Sequence, residues 1–153
     1  MADAGVCEVW FYHLEQTGLD QALPELLEKT LQKGWKAVVR TATSSRIDHF
    51  DAWLWSYRDD SFLPHAPAEE PDPARQPILL TTGEERPNAA EALFLVDGAE
   101  PGDLSGYQRC VVLFDGADEA QLQIARGQWK SIQARGLPAT YWRQGARGWE
   151  KQG

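Results

Sequence analysis

The spacing of apolar residues changes along the chain, and each change predicts a switch between strand and helix. The first apolar run, Cys7–Tyr12, is rich in residues that favour β-structure and predicts a strand. Leucines recur at helical spacing over Leu19–Lys33, where Pro24 is expected only in the first turn of a helix. Gly34 follows and predicts the end of that helix.

The same two spacings continue towards the C-terminus. The further predicted elements are, in order, a strand Lys36–Arg40, a helix from Ser44 or Ser45 to about Tyr57, strands Pro77–Thr81, Ala92–Val96 and Tyr107–Phe114, a helix from Ala117 to about Ala134, and a strand Ala139–Arg143. Strands that alternate with helices indicate parallel strands joined by crossovers. The pattern therefore predicts a layered α/β fold.

Two segments do not follow this pattern. Residues 66–76 contain three prolines and three acidic residues, which predicts an exposed loop within a single domain, 1–153. A polar tail follows the last predicted strand, and we expect it to be flexible from about residue 144.

The composition is that of an ordinary globular domain: 153 residues, 42% hydrophobic and 25% charged. The sequence contains no apolar run long enough for a membrane span, and the first residues form neither a basic leader nor an apolar signal core. We therefore expect a cytoplasmic protein without a membrane partner. Cys7 and Cys110 both fall in apolar runs and are predicted to be buried structural thiols.

The net charge of −8 argues against binding to nucleic acid through phosphate contacts. The charge is unevenly distributed, however, because residues 120–153 carry six basic side chains and only one acidic side chain, Glu150. This asymmetry favours a local anion-binding surface on an otherwise acidic protein. A solvated C-terminal helix without a ligand explains the same charges, so both interpretations stay open at this point.

The sequence shows no assembled catalytic site. It lacks the glycine-rich phosphate loop, the GxGxxG motif after the first strand and the GxSxG turn of serine hydrolases. Its three histidines, His13, His49 and His65, do not have the spacing of a zinc site. We predict a protein without catalysis, cofactor or metal. The alternative is a nucleotide- or small-molecule-dependent enzyme whose ligand lies near residues 13–18 or 41–45, at the carboxyl ends of strands.

Seven tryptophans are many for a chain of this length, and large aromatic side chains are enriched in interfaces as well as in cores. Trp53 and Trp55 lie about 200° apart on the second predicted helix, so they cannot both face a sheet. The segment Ser61–His65 adds apolar groups at the beginning of a polar loop. These features predict a partner-binding surface.

The last predicted helix places cations beside an indole. Arg126 and Lys130 are four residues apart on one face, and Trp129 adjoins them. This combination suits an acidic peptide that ends in a hydrophobic residue, because the cations can bind its carboxylates. Two alternatives stay open: Trp129 belongs to the core while the cations are solvated, or residues 120–153 bind single-stranded DNA directly.

Several segments, taken together, resemble one protein family. The most specific are LWSYRDDSFLPH at 54–65, PN at 87–88, LFDG at 113–116 and ARGQWK at 125–130. Their order and spacing, together with VWFYHLEQT at 9–17, resemble the chi subunit of bacterial DNA polymerase III over roughly residues 7 to 150.

This resemblance implies a single three-layer α/β/α domain with a mostly parallel, mixed, Rossmann-like sheet and no nucleotide-binding loop. It also implies a non-catalytic accessory subunit that links the clamp loader to single-stranded DNA-binding protein in DNA replication, and that contacts DNA only indirectly. The acidic C-terminal tail of that protein would bind Arg126, Trp129 and Lys130. A further basic position of the family, one turn before the arginine, is Leu122 in this chain.

The resemblance implies a second partner, which is the psi subunit or a helicase. Trp55 and Phe62 would contact this partner, and Pro64 and His65 would shape the turn that presents them.

Overall fold

A computed structural model of the chain describes residues 7–15, 18–56, 65–67, 76–84, 89–102, 104, 106–145 and 148–151. Of residues 55, 56, 65–67, 145 and 148, the backbone alone is described. The elements are β1 Glu8–Leu14, α1 Leu19–Gln32, β2 Ala37–Arg40, α2 Ser44–Ser56, β3 His65–Pro67, β4 Ile78–Thr81, β5 Ala92–Leu95, β6 Arg109–Asp115, α3 Glu119–Ala134, β7 Ala139–Gly145 and β8 Gly148–Lys151. Every predicted strand and helix is present, with ends shifted by at most two residues.

The strands form one sheet in the order β3-β4-β2-β5-β6-β1-β7-β8. All neighbouring strands are parallel except β7 and β8, which form an antiparallel pair. The prediction of an α/β fold with a mostly parallel, mixed sheet is therefore confirmed. Residues of β2, β4 and β5 are buried along their whole length, as expected for central parallel strands that are covered on both faces.

Helices cover both faces of the sheet and make the three predicted layers. On one face, α1 and α2 pack with alternate strand residues such as Tyr12 and Leu14. On the other face, α3 packs with the intervening residues, Val9 and Phe11. Since successive side chains of a strand point to opposite faces, β1 supplies both cores and holds α3 in a fixed position over the sheet.

Pro24 lies in the sixth position of α1 and not in its first turn, so that prediction was wrong. Because proline has no N–H, the carbonyl of Asp20 lacks its usual helical partner. The indole N–H of Trp53, from α2, donates to this carbonyl, and His49 of α2 lies 2.9 Å from the Asp20 carboxylate. The interior proline is tolerated because a second helix satisfies the backbone group that it leaves free.

Replacing Trp53 by phenylalanine is expected to lower the free energy of unfolding by about 1–3 kcal/mol, because the Asp20 carbonyl loses its donor. In a Pro24→Ala background, residue 24 regains an N–H that can bond this carbonyl, so the same substitution should destabilise less. Urea denaturation of the four proteins measures the coupling. Equal destabilisation in the two backgrounds would contradict this account.

Two segments predicted to lack strands contain short ones, which corrects the sequence analysis. Strand β3 overlaps the beginning of the predicted loop 66–76, and β8 lies in the predicted polar tail. Both are outermost strands of the described sheet, and an edge strand tolerates Pro67 because, among the described residues, only one of its sides pairs with another strand. The remainder of the loop, 68–75, lies outside the described residues.

The two cysteines are free and buried, and their predicted burial is confirmed. Burial raises the pKa of Cys7 to about 12 and also raises that of Cys110, so neither forms a reactive thiolate at neutral pH. Among the residues described, no helix has the length and hydrophobicity that crossing a bilayer requires.

Candidate functional site

A groove of about 840 Å³ lies between α3 and the strands β1, β6 and β7. The helix contributes Leu122, Arg126, Trp129 and Lys130 to its lining, and the sheet contributes His13, Phe114, Tyr141 and Arg143. We call this the α3 groove. Its lining contains three permanent cations and no described carboxylate, although the whole chain carries a net charge of −8.

Helical periodicity explains which residues of α3 reach the groove. Asp118 caps the N-terminus by accepting a hydrogen bond from the backbone N–H of Gln121. One face of the helix is buried on the sheet, and there Gln128 donates to the carbonyl of Ala99 at 2.8 Å. The neighbouring face carries Arg126 and Lys130, which are both exposed, so the buried face holds the helix while the adjacent face offers cations.

Trp129 lies at the boundary of the two faces and is half-buried. Its ring packs edge-on against Phe11, with centroids 5.2 Å apart, and against Tyr141 at 5.9 Å. Two sequence interpretations were open, a core tryptophan or a ligand-binding one. The indole packs against the core and also lines the α3 groove, so its contact with the core is confirmed and its role in ligand binding stays a prediction.

His13 lines the groove, and its neighbours leave its ring little freedom to move. Its Nδ1 lies 2.6 Å from the hydroxyl of Tyr141, and its ring packs against Phe114. A Cβ at Gly116 would lie 1.8 Å from His13 Nε2, so the ring occupies space that only glycine leaves free. Desolvation lowers the pKa of His13, which favours the neutral ring. The positive charge of the groove comes from its arginines and lysine.

Arg143 reaches the groove from β7 and is already paired. Its Nε and Nη2 donate to the two carboxylate oxygens of Glu15, at 2.7 and 2.8 Å. The hydrogen bond from Arg143 holds the pKa of Glu15 below its usual value. Glu15 is the first residue after β1, so the parallel pairing of β1 with β7 places the two side chains together.

The sequence predicted Arg126, Trp129 and Lys130 as one site, and the structure brings these residues together in one groove. Leu122 also lines it, so an apolar side chain occupies the position where the resemblance implies a cation. The sequence analysis missed His13, Tyr141 and Arg143, which lie on strands far apart along the chain. Arg143 had been counted only among the basic residues of the C-terminal region.

The predicted second surface is described only in part. The backbone of Trp55 lies in the last turn of α2, and His65 begins β3. Phe62 and Pro64 lie outside the described residues. The four positions therefore stay a prediction.

The sequence left open a ligand at the carboxyl ends of the strands near residues 41–45. A crevice of about 460 Å³ lies there, and two acidic residues, Glu84 and Glu100, contribute to its lining. The buried guanidinium of Arg40 also lines it but donates to the carbonyls of Gly83, Glu100 and Pro101, at 2.6 to 3.0 Å. Within the described part of the chain, no group of three or more His, Cys, Asp or Glu residues could hold a metal ion.

Comparison with known proteins identifies the family. Residues 7–140 match the family model described as DNA polymerase III chi subunit, HolC. A protein of Rickettsia prowazekii, named probable DNA polymerase III subunit chi, is 31% identical over 103 residues, which are 67% of this chain and 62% of that protein. The DNA polymerase III subunit chi of Pseudomonas aeruginosa is 29% identical over 118 residues, 77% of this chain and 81% of that protein.

The chi subunit of DNA polymerase III is an accessory subunit and is not itself catalytic. The match extends from the residue before β1 to the beginning of β7 and includes α1, α2 and α3, and therefore most of the α3 groove. On this match, the chain belongs to the DNA polymerase III chi subunit family.

Proposed function

We propose that this chain binds the acidic C-terminal tail of single-stranded DNA-binding protein in the α3 groove, and so connects that protein to the clamp loader of the replicative polymerase in the cytoplasm. The observation that carries the proposal is the lining of the groove. Arg126, Lys130 and Arg143 line the groove together with apolar side chains that include Trp129, and no described carboxylate lines it.

The two parts of the lining suit the two parts of such a tail. Arginine and lysine bind carboxylates through charge-assisted hydrogen bonds, which supports recognition of the acidic residues and of the terminal carboxylate. Phe114, Leu122 and Trp129 offer apolar surface to a terminal hydrophobic side chain. Because Arg126 and Lys130 are exposed, binding should weaken with salt, and much of the charge effect should fall on the association rate.

A fluorescence anisotropy titration tests the proposal. A labelled peptide with the acidic, hydrophobic-ended sequence of the tail should bind saturably, and its Kd should rise as salt is added. A peptide of the same composition with the hydrophobic residue moved to the start, and a C-terminally amidated peptide, should both bind more weakly. An absence of binding at protein concentrations on the order of hundreds of micromolar, where even a weak Kd gives measurable occupancy, would refute the proposal.

Direct binding of single-stranded DNA is a different use of the same cations, and the titration distinguishes the two. An unlabelled oligothymidylate that displaces the peptide at a comparable concentration would favour DNA as the ligand. The net charge of −8 opposes that outcome, because phosphate binding grows with the number of cations engaged.

The second partner, a psi subunit or a helicase, is proposed to bind where α2 ends and β3 begins. The supporting observation is that β3 is the outermost strand and pairs only with β4 within the sheet. Trp55→Ala provides the test, since it should abolish co-purification with the psi subunit and leave the affinity for the tail peptide unchanged. Unchanged co-purification would exclude Trp55 from this interface.

A further inference from the structure

The three cations of the α3 groove differ in what they contact in the free protein. Arg143 is held by Glu15 through two hydrogen bonds, which join two of its three guanidinium nitrogens, Nε and Nη2, to the two carboxylate oxygens. Within the described residues, Arg126 and Lys130 form no ion pair. Two cations are therefore available to a ligand at once, and the third is available only if its pairing with Glu15 changes.

Glu15 lies at the edge of the groove and at the end of β1. Its backbone N–H donates to the side chain of Gln144, so its main chain is tied to β7. Its carboxylate lies 3.8 Å from Nε2 of His13, which lines the groove. A ligand carboxylate that approached Arg143 from the groove would meet the carboxylate of Glu15 there.

We propose that Glu15 competes within the chain for the acidic ligand's position on Arg143, and that Arg143 becomes the third anion contact of the α3 groove when the ligand carboxylate replaces Glu15. This inference rests on the proposed function. It also accounts for Leu122, because an arginine from β7 supplies the groove with a cation that the helix lacks at position 122.

The ion pair is exposed enough for such an exchange. The side chains of Arg143 and Glu15 are 51% and 31% exposed, and ion pairs at this exposure contribute little to stability. Other charges near the pair are Glu150, which faces Arg143 across β7 and β8, and Asp115 beside His13. These two carboxylates remain in place in every variant below, so they do not affect the comparison.

The test is a set of peptide titrations with Glu15→Gln as the central variant. Glu8→Gln is the matched control, because it removes the same charge from the other end of β1, where Glu8 pairs with Arg109 at 3.6 Å. Relative to that control, Glu15→Gln should bind the tail peptide about two- to fivefold more tightly, the range expected for loss of an exposed competing charge. Arg143→Gln should bind the tail peptide about three- to tenfold more weakly than the wild-type protein does.

The double variant Glu15→Gln/Arg143→Gln should bind like Arg143→Gln alone, because the competitor has no role without its arginine. The Nε–H resonance of Arg143, followed by NMR during the titration, should shift as the ligand carboxylate replaces that of Glu15. A merely structural ion pair would leave the resonance unmoved and the affinity of Glu15→Gln equal to that of Glu8→Gln, and this result would overturn the inference.

These outcomes separate the inference from the proposed function. If wild type binds the peptide and Arg126→Ala does not, while Glu15→Gln matches Glu8→Gln, the function stands and the competition by Glu15 is excluded. If no variant binds the peptide, both are overturned.

Discussion

Replacing Arg126 by alanine is expected to weaken binding of the tail peptide by about 1–3 kcal/mol, which corresponds to a rise in Kd of roughly 5- to 150-fold. Arg126 is exposed in the α3 groove, and it has no ion-pair partner among the described residues that would have to be given up on binding. Its planar guanidinium can bind a carboxylate through two parallel hydrogen bonds. The Kd is measured by anisotropy at low and at moderate salt.

Two further variants show whether a weaker affinity of Arg126→Ala comes from lost charge, from lost geometry or from the loss of any arginine on α3. Arg126→Lys keeps the charge but removes the bidentate geometry, so its Kd should lie between those of wild type and Arg126→Ala. Arg135→Ala removes the same kind of side chain from the C-terminal cap of α3, outside the groove lining, and should change the Kd little. If Arg126→Ala bound as tightly as wild type at low salt, the tail site would lie elsewhere on the molecule.

Replacing Arg40 by methionine is expected to lower the free energy of unfolding by about 2–4 kcal/mol. Arg40 is 3% exposed, and its guanidinium joins the backbone carbonyls of Gly83, Glu100 and Pro101, so it ties the loop after β4 to the loop after β5. Hydrogen bonds from a charged donor are worth roughly 1.5–3 kcal/mol each, and relief from burying a charge offsets part of their loss.

Arg46→Met is the matched control for this variant. Arg46 pairs with Asp97 at 2.7 Å but is 34% exposed, so its replacement should destabilise by about 1 kcal/mol or less. Urea denaturation measures both variants, and tail affinity measured well below the denaturation midpoint should stay at the wild-type value in each. If Arg40→Met lowered the free energy of unfolding no more than Arg46→Met does, the contacts of Arg40 with the backbone carbonyls would contribute little to stability.

The helical half of the α3 groove was predictable from the sequence, and the strand half was not. Arg126, Trp129 and Lys130 lie within five residues on one helix, where the spacing of 3.6 residues per turn brings them together without knowledge of the fold. His13 and Tyr141 are 128 residues apart, and they meet because β1 pairs with β7 in parallel. The order of strands in the sheet depends on tertiary structure, and the apolar pattern of either strand does not predict it.

Tertiary contacts also explain the local predictions that were wrong. The spacing rule placed Pro24 in a first turn because an interior proline leaves a carbonyl free, but Trp53 on another helix satisfies that carbonyl. Strands β3 and β8 have three and four residues, and their sequences contain proline or charged residues. Such short segments become strands only through a neighbour, and single-sequence propensity does not supply that neighbour.

The contact between His13 and Gly116 also has an evolutionary consequence. A side chain at position 116 and an imidazole at position 13 would require the same space, so position 116 cannot gain a side chain while the imidazole stays where it is. Related chains that carry a larger residue at the position of Gly116 should therefore carry a differently shaped residue at the position of His13. Such paired changes across an alignment would mark a part of the groove in which shape has been maintained while the residues have changed.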